Sequence, residues 1–144
     1  MTTSNTHATL FWVIAVIALL WNIMGLASFI GQVTITEAAK ALIPEDQLAL
    51  MEATPSWMMV VFGIATIGGT LGSALLLMRK AFAKMLFLAS ALAVIIQMGY
   101  GWANADTIGV FGIVQGLIMP ILIIVFAVFL YMYSKAQTAK GILR

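Results

Sequence analysis

SWMMVVFGIATIGGTLGSALLLM, residues 56–78, runs without a charge and is followed at once by RKAFAK, residues 79–84. A helix rising 1.5 Å per residue needs roughly 20 such residues to cross the hydrocarbon core of a bilayer, and this run reaches that length. The basic cluster behind it marks the end that stays on the cytoplasmic side, because Lys and Arg flanking a span are retained there. The fold class follows from finding the same pattern elsewhere. Three further uncharged stretches of spanning length occupy residues 8–31, 85–103 and 110–133. None shows the short alternating pattern of a barrel strand. Lipid leaves each backbone amide to be satisfied within its own segment, so all four read as helices.

Composition agrees. Of 144 residues, 63% are hydrophobic and 8% charged, and the mean hydropathy is +1.11, too little polar surface for a water-soluble exterior. The expectation is an all-α membrane protein, one four-helix transmembrane bundle over residues 1–144. Stabilising contacts must then lie between helices in lipid. Nucleic acid is not an expected partner; the bilayer is.

Six of the seven basic residues fall on one side of these spans: Arg79, Lys80 and Lys84 in the turn 79–84, and Lys135, Lys140 and Arg144 in the tail 134–144. The acids Glu37, Glu45, Asp46, Glu52 and Asp106 fall on the other, with Lys40 as the one exception. An even number of crossings then gives N-in, C-in topology. The first span has small residues at Gly25-Leu26-Ala27, as before a leader cleavage point. Its flank Met1–Thr9 lacks Lys and Arg and its apolar run is long, so it reads as a retained span.

Residues 32–55 form the long connection. Thr34 and Glu37 fit a capping box, in which the two side chains satisfy exposed amides at a helix start. Pro44 suits the first position of a second short helix, with Glu45 and Asp46 near its positive end. The expectation is a helical lid on the extracytoplasmic side. Trp12, Trp57, Tyr100, Trp102, Tyr131 and Tyr133 lie near span ends, where amphipathic rings settle at the interface. Val61-Phe62-Gly63-Ile64 recurs as Val110-Phe111-Gly112-Ile113, in spans that run in the same direction.

Several chemistries lack residues to carry them. Cysteine is absent and the single histidine, His7, lies in the polar N-terminal segment, so thiol chemistry and a histidine metal pair are unsupported. The spans hold no ionisable group of the kind that marks proton paths. No nucleophile is accompanied by a base. The reading is a non-enzyme without cofactor or metal.

Neutral amides remain: Asn22, Gln97 and Gln115 within spans and Gln32 at the outer end of the first, all in the outer half of the membrane. Helical spacing aligns Asn22, Gly25, Ser28 or Phe29, and Gln32 on one face and Ser90, Val94, Gln97 and Gly101 on another. The layer has two readings. Its amides fasten helices, at about 0.6 to 2 kcal/mol per bond, or they line a pocket for a small neutral solute, with Trp21, Tyr100 or Trp102 as a flat wall. Gly68 and Gly72 form a GxxxG pair beside Gly69, and Gly112 and Gly116 repeat the spacing, so these glycines are read as helix-packing positions. Pro120 removes an amide donor and frees a carbonyl near Gly116, which predicts a kink.

Trp21-Asn22 with Met24-Gly25, Pro44-Glu45, Glu52-Ala53-Thr54-Pro55 before Trp57, Gly68-Gly69 with Gly72, Gln97-Met98-Gly99-Tyr100 and Met119-Pro120 carry a resemblance across all four spans. By these motifs the chain resembles a family of small bacterial four-helix inner-membrane proteins commonly labelled sugar transporters. The resemblance implies an inner-membrane location and facilitated movement of a small neutral solute such as a sugar. A homo-oligomer would supply the path that one bundle has little room for. The proline-glutamine pair of the small three-helix sugar carriers does not occur here. The alternative is a noncatalytic structural or accessory membrane subunit.

Overall fold

A computed structural model of the chain describes residues 2–144, with side chains from Ala8 onward, so His7 lies outside the described side chains. The described chain is all helical: α1 Thr2–Val33, α2 Glu37–Lys40, α3 Glu45–Ala53, α4 Ser56–Leu77, α5 Ala83–Asn104, α6 Thr107–Ile113, a π-helical turn Val114–Ile118, and α7 Met119–Ala139. Four stretches are long and apolar enough to cross a membrane: Ala8–Val33, Ser56–Leu77, Ala83–Asn104 and Thr107–Ala139.

Close packing runs from α1 to α4, from α4 to α5, and from α5 to α7. The small residues of α4 explain why it takes two neighbours. Gly68 and Gly72 face α5: a β-carbon at Gly68 would lie 3.4 Å from the Leu86 carbonyl oxygen, and one at Gly72 would lie 3.1 Å from the Phe87 ring. Gly69 and Gly63 face α1, against the Asn22 amide and the Phe29 ring. Lipid offers no hydrophobic drive for helix association, so such close approach supplies dispersion contact instead.

The end where α4 turns into α5 is the densely filled one. Phe11, Ala15, Ala18, Leu76, Ala83, Phe87, Leu130 and Leu143 form its buried cluster. Arg79 closes α4 in the left-handed conformation (φ 58°), and the Lys80 amide donates to the Leu75 carbonyl at 2.8 Å. That backbone costs a non-glycine residue about 1–2 kcal/mol. Its guanidinium lies 5.7 Å from the Phe11 ring centroid and 5.4 Å from that of Trp12, contacts of about 0.5–1 kcal/mol each that offset the cost.

Residues 134–144, read from sequence as a tail, instead complete this end. Helix α7 continues to Ala139, and Gly141 (φ 78°) turns the chain back. Leu143 then enters the core at 2% exposure, while Arg144 donates to the Arg79 carbonyl (2.9 Å) and accepts from the Ala81 amide (3.0 Å).

Two local expectations at the other end are corrected. The cap of α2 is Thr36, whose hydroxyl oxygen accepts from the Ala39 amide at 3.1 Å; Thr34 still belongs to α1 and donates to the Ile30 carbonyl at 2.7 Å. Pro44 is the N-cap of α3, one position before the helix proper. The fourth span is also not one helix from 110 to 133. It begins at Thr107, capped by Asp106, and breaks at Gly112 (φ 87°, ψ 173°), a conformation essentially reserved for glycine. The helix restarts at Ile113 and passes through the π-helical turn. Helix α6 lies back against that turn and also meets α3.

Candidate functional site

A cavity of 340 Å³ lies inside the bundle and draws lining residues from all four long helices. Helix α1 contributes Trp21, Asn22, Met24, Gly25 and Ser28; α4 contributes Phe62, Ala65 and Thr66; α5 contributes Phe87, Ser90, Val94, Gln97 and Met98; α7 contributes Met119, Ile123, Phe126, Ala127 and Leu130. It exists because α1 and α7, the two ends of the packing series, do not approach each other as closely as the other neighbours do. Side chains bridge that seam: Trp21 meets Phe126 with ring centroids 5.2 Å apart, and Phe11 meets Tyr133 at 6.3 Å.

Of the four amides singled out by sequence, two reach the cavity. Asn22 is half-buried and committed: its Nδ2 donates to the Ala18 carbonyl (2.8 Å) and to Ser73 Oγ on α4 (3.1 Å), and its Oδ1 lies over Gly69. The Asn22 carbonyl also accepts from the Thr70 hydroxyl at 3.1 Å. Gln97, likewise half-buried, makes no hydrogen bond to any described residue. Gln115 and Gln32 are exposed and do not line the cavity. A shared depth therefore does not bring the four amides together, because the faces on which they lie differ.

The other polar lining groups donate inward to backbone. Ser90 Oγ donates to the Ala65 carbonyl across the α4–α5 contact (2.6 Å), Thr66 to Phe62 (2.9 Å) and Ser28 to Met24 (3.2 Å). Of the two faces aligned from sequence, Asn22, Gly25 and Ser28 line the cavity while Phe29 and Gln32 do not, and Ser90, Val94 and Gln97 line it while Gly101 does not. Sequence reasoning missed Thr66, a small hydroxyl residue within an apolar run, although its proximity to the glycine row was the available signal.

The two aromatic candidates act elsewhere. Tyr100 packs edge-on against Trp57, with centroids 5.3 Å apart. Trp102 Nε1 donates to the Gly116 carbonyl at 2.8 Å, with the Thr107 hydroxyl 3.5 Å from the same oxygen. Gly116 is the residue whose carbonyl Pro120 leaves without an α-helical donor. The π-helical turn moves the next bond too: the Met119 amide donates to Val114. An indole from α5 thus replaces the missing amide. Gly116 is small for a related reason, since a β-carbon there would lie 2.5 Å from the Thr107 carbonyl oxygen and 2.7 Å from Ile108 Cα. Gly112, paired with it as a packing position in the sequence reading, has no atom within 4 Å of where its β-carbon would be; its role is the backbone break.

No ionisable side chain lines the cavity, and the described residues contain no group of three His, Cys, Asp or Glu that could hold a metal. The site can bind by shape and dispersion, with one uncommitted amide as its directional element. No protein-family model, curated protein or solved structure matches the chain.

Proposed function

We propose that this chain is a multi-pass protein of the bacterial inner membrane that binds a small neutral solute within its bundle and eases its movement across the bilayer. One observation carries the reading: a 340 Å³ cavity lined by all four long helices, uncharged throughout, into which Gln97 brings an amide with no hydrogen-bond partner among the described residues. Ligand sites of about 300–1,000 Å³ with mostly apolar walls and a few polar groups are the usual form of a small-molecule site. An unpaired charge would be costly there, which favours a neutral occupant. Gathering Arg79, Lys80, Lys84, Lys140 and Arg144 at the densely packed end supports a cytoplasmic position for that end, with N- and C-termini inside. Helices α2 and α3 then lie at the outer end, in the position of a lid.

The test is uptake by proteoliposomes containing the purified chain, across a panel of neutral solutes that includes sugars. At least one solute should enter saturably, and Gln97→Leu should reduce that uptake while Gln115→Leu, on the exposed surface, leaves it unchanged. Uptake no faster than in empty liposomes for every solute would sink the reading. The alternative, a noncatalytic accessory subunit, draws support from Asn22, which ties α1 to α4 without offering its amide nitrogen to a ligand. On that reading a partner protein should copurify in fixed proportion, and the Gln97 substitution should affect neither recovery nor partner content.

A further inference from the structure

The chemistry of the cavity wall goes further than neutrality. We propose that the occupant is a lipophilic molecule with a single polar end, such as a hydroxyl or carbonyl group, which enters sideways from the membrane between α1 and α7 and is held by Gln97. This rests on the reading of the cavity as a solute site and narrows the class of solute.

Three observations converge. The first concerns donors. Asn22 Nδ2 and the hydroxyls of Ser28, Thr66 and Ser90 all donate to groups of the protein itself, which leaves the Gln97 amide as the uncommitted donor of the wall. A sugar entering this space could donate to the side-chain oxygens of the wall but would find a single uncommitted donor for its own oxygens, with most of its polar surface set against apolar side chains. A ligand with one polar end asks for one partner and finds it.

The second concerns the rest of the surface. Trp21, Phe62, Phe126 and Ile123 face the space, and Met24, Met98 and Met119 add flexible thioethers that adapt to irregular apolar shapes. The third concerns access. Met24 on α1 is 66% exposed and Met119 on α7 is 37% exposed, yet both line the cavity. They lie on the two helices that lack close backbone packing with each other, where Trp21 against Phe126 bridges the seam, and we place the mouth between them. In a bilayer, that mouth faces lipid tails, where a lipophilic molecule is already concentrated.

The experiment is photolabelling of the purified full chain in detergent micelles with a medium-chain fatty alcohol carrying a diazirine beside its hydroxyl end. Adducts are mapped by mass spectrometry, and excess unlabelled alcohol, the matching alkane or a hexose serves as competitor. The expected adducts lie on cavity residues of α1, α5 and α7 and are displaced by the alcohol. The alkane and the hexose should be poor competitors. Gln97→Leu should weaken alcohol competition about tenfold, the scale of one lost hydrogen bond. Ala127→Phe, which fills the cavity from α7 without altering Gln97, should remove the displaceable adducts.

Equal displacement by alkane, or unchanged competition in Gln97→Leu, would overturn the single-polar-end assignment. Displacement by hexose alone would overturn the inference and leave the solute-site reading standing. Adducts spread evenly over the lipid-facing residues, displaced by no competitor and unaltered by Ala127→Phe, would remove both.

Discussion

The tetrapeptide Val-Phe-Gly-Ile occurs twice, at residues 61–64 and 110–113, and the two copies fold differently. In α4, Gly63 is a buried helical residue packed against the Phe29 ring. At the start of the fourth span, Gly112 takes φ 87° and ψ 173°, is exposed, and ends α6. What separates them lies outside the four residues. The first copy continues through a row of glycines onto which α1 and α5 close, so a straight helix gains contact on two sides. The second precedes Gly116 and Pro120, where an α-helical bond is missing and α6 lies back on the gap. One region uses glycine to bring neighbours near; the other uses it to turn the chain and to let its own backbone return.

Gly116→Ala should break the second region with the largest effect. The added β-carbon would meet Thr107 and Ile108 backbone atoms, which have no rotamer through which to escape. A loss of about 3 kcal/mol is expected in detergent unfolding, at the upper end of ordinary overpacking. A loss below about 1 kcal/mol would mean that α6 does not lie on the π-helical turn.

The repeated tetrapeptide provides a matched pair of lesser effect. Gly112→Ala should cost about 1–3 kcal/mol through its backbone conformation alone, and no change of neighbour should relieve it, because nothing lies near the new methyl group. Gly63→Ala should cost about 1 kcal/mol through contact with Phe29 Cζ, 3.0 Å away, and Phe29→Leu in the same chain should recover most of it. Relief of both, or of neither, would dissolve the distinction between the two regions.

Much of this architecture is legible in the sequence, and the illegible part has a physical boundary. Span lengths follow from apolar runs, and α4 and α5 begin and end within two residues of expectation. Thr34 resembled a cap because spacing to Glu37 is visible, whereas the extra turn that keeps Thr34 in α1 is not. The break at Gly112 was hidden because glycine in an apolar helix tolerates several outcomes, and contacts made by α6 select one. For the site, an amide's depth can be counted along a helix. Its rotation toward the bundle leaves no mark in the sequence when every face is apolar, which is how Gln115 reads as equivalent to Gln97 and proves to face outward.

The carbonyl at Gly116 allows a test of how the interrupted span is repaired. Trp102→Phe keeps an aromatic ring but removes the indole donor, which leaves the oxygen dependent on the more distant Thr107 hydroxyl. About 1–2 kcal/mol should be lost, the range for stranding a polar group. In a Pro120→Ala background the helix regains an amide that can reach Gly116, so the same Trp102 substitution should cost less. Additive losses in this double-mutant cycle would show that the indole and the proline act independently.

The smallest effects distinguish fastening from binding along the cavity wall. Asn22→Leu removes the bond to Ser73 Oγ that joins α1 to α4, and interhelical bonds of this kind contribute about 0.6–2 kcal/mol in membranes. Gln97→Leu is the corresponding amide-to-apolar change on α5, but it removes no bond to a described residue and should alter unfolding by less than about 0.5 kcal/mol. If stability falls equally in both, Gln97 is also a fastener and its freedom to meet a ligand is lost. If only Asn22 matters to stability while only Gln97 matters to solute, the two amides have divided roles that share a cavity but no common partner: one holds the bundle together, and the other remains available because nothing in the bundle requires it.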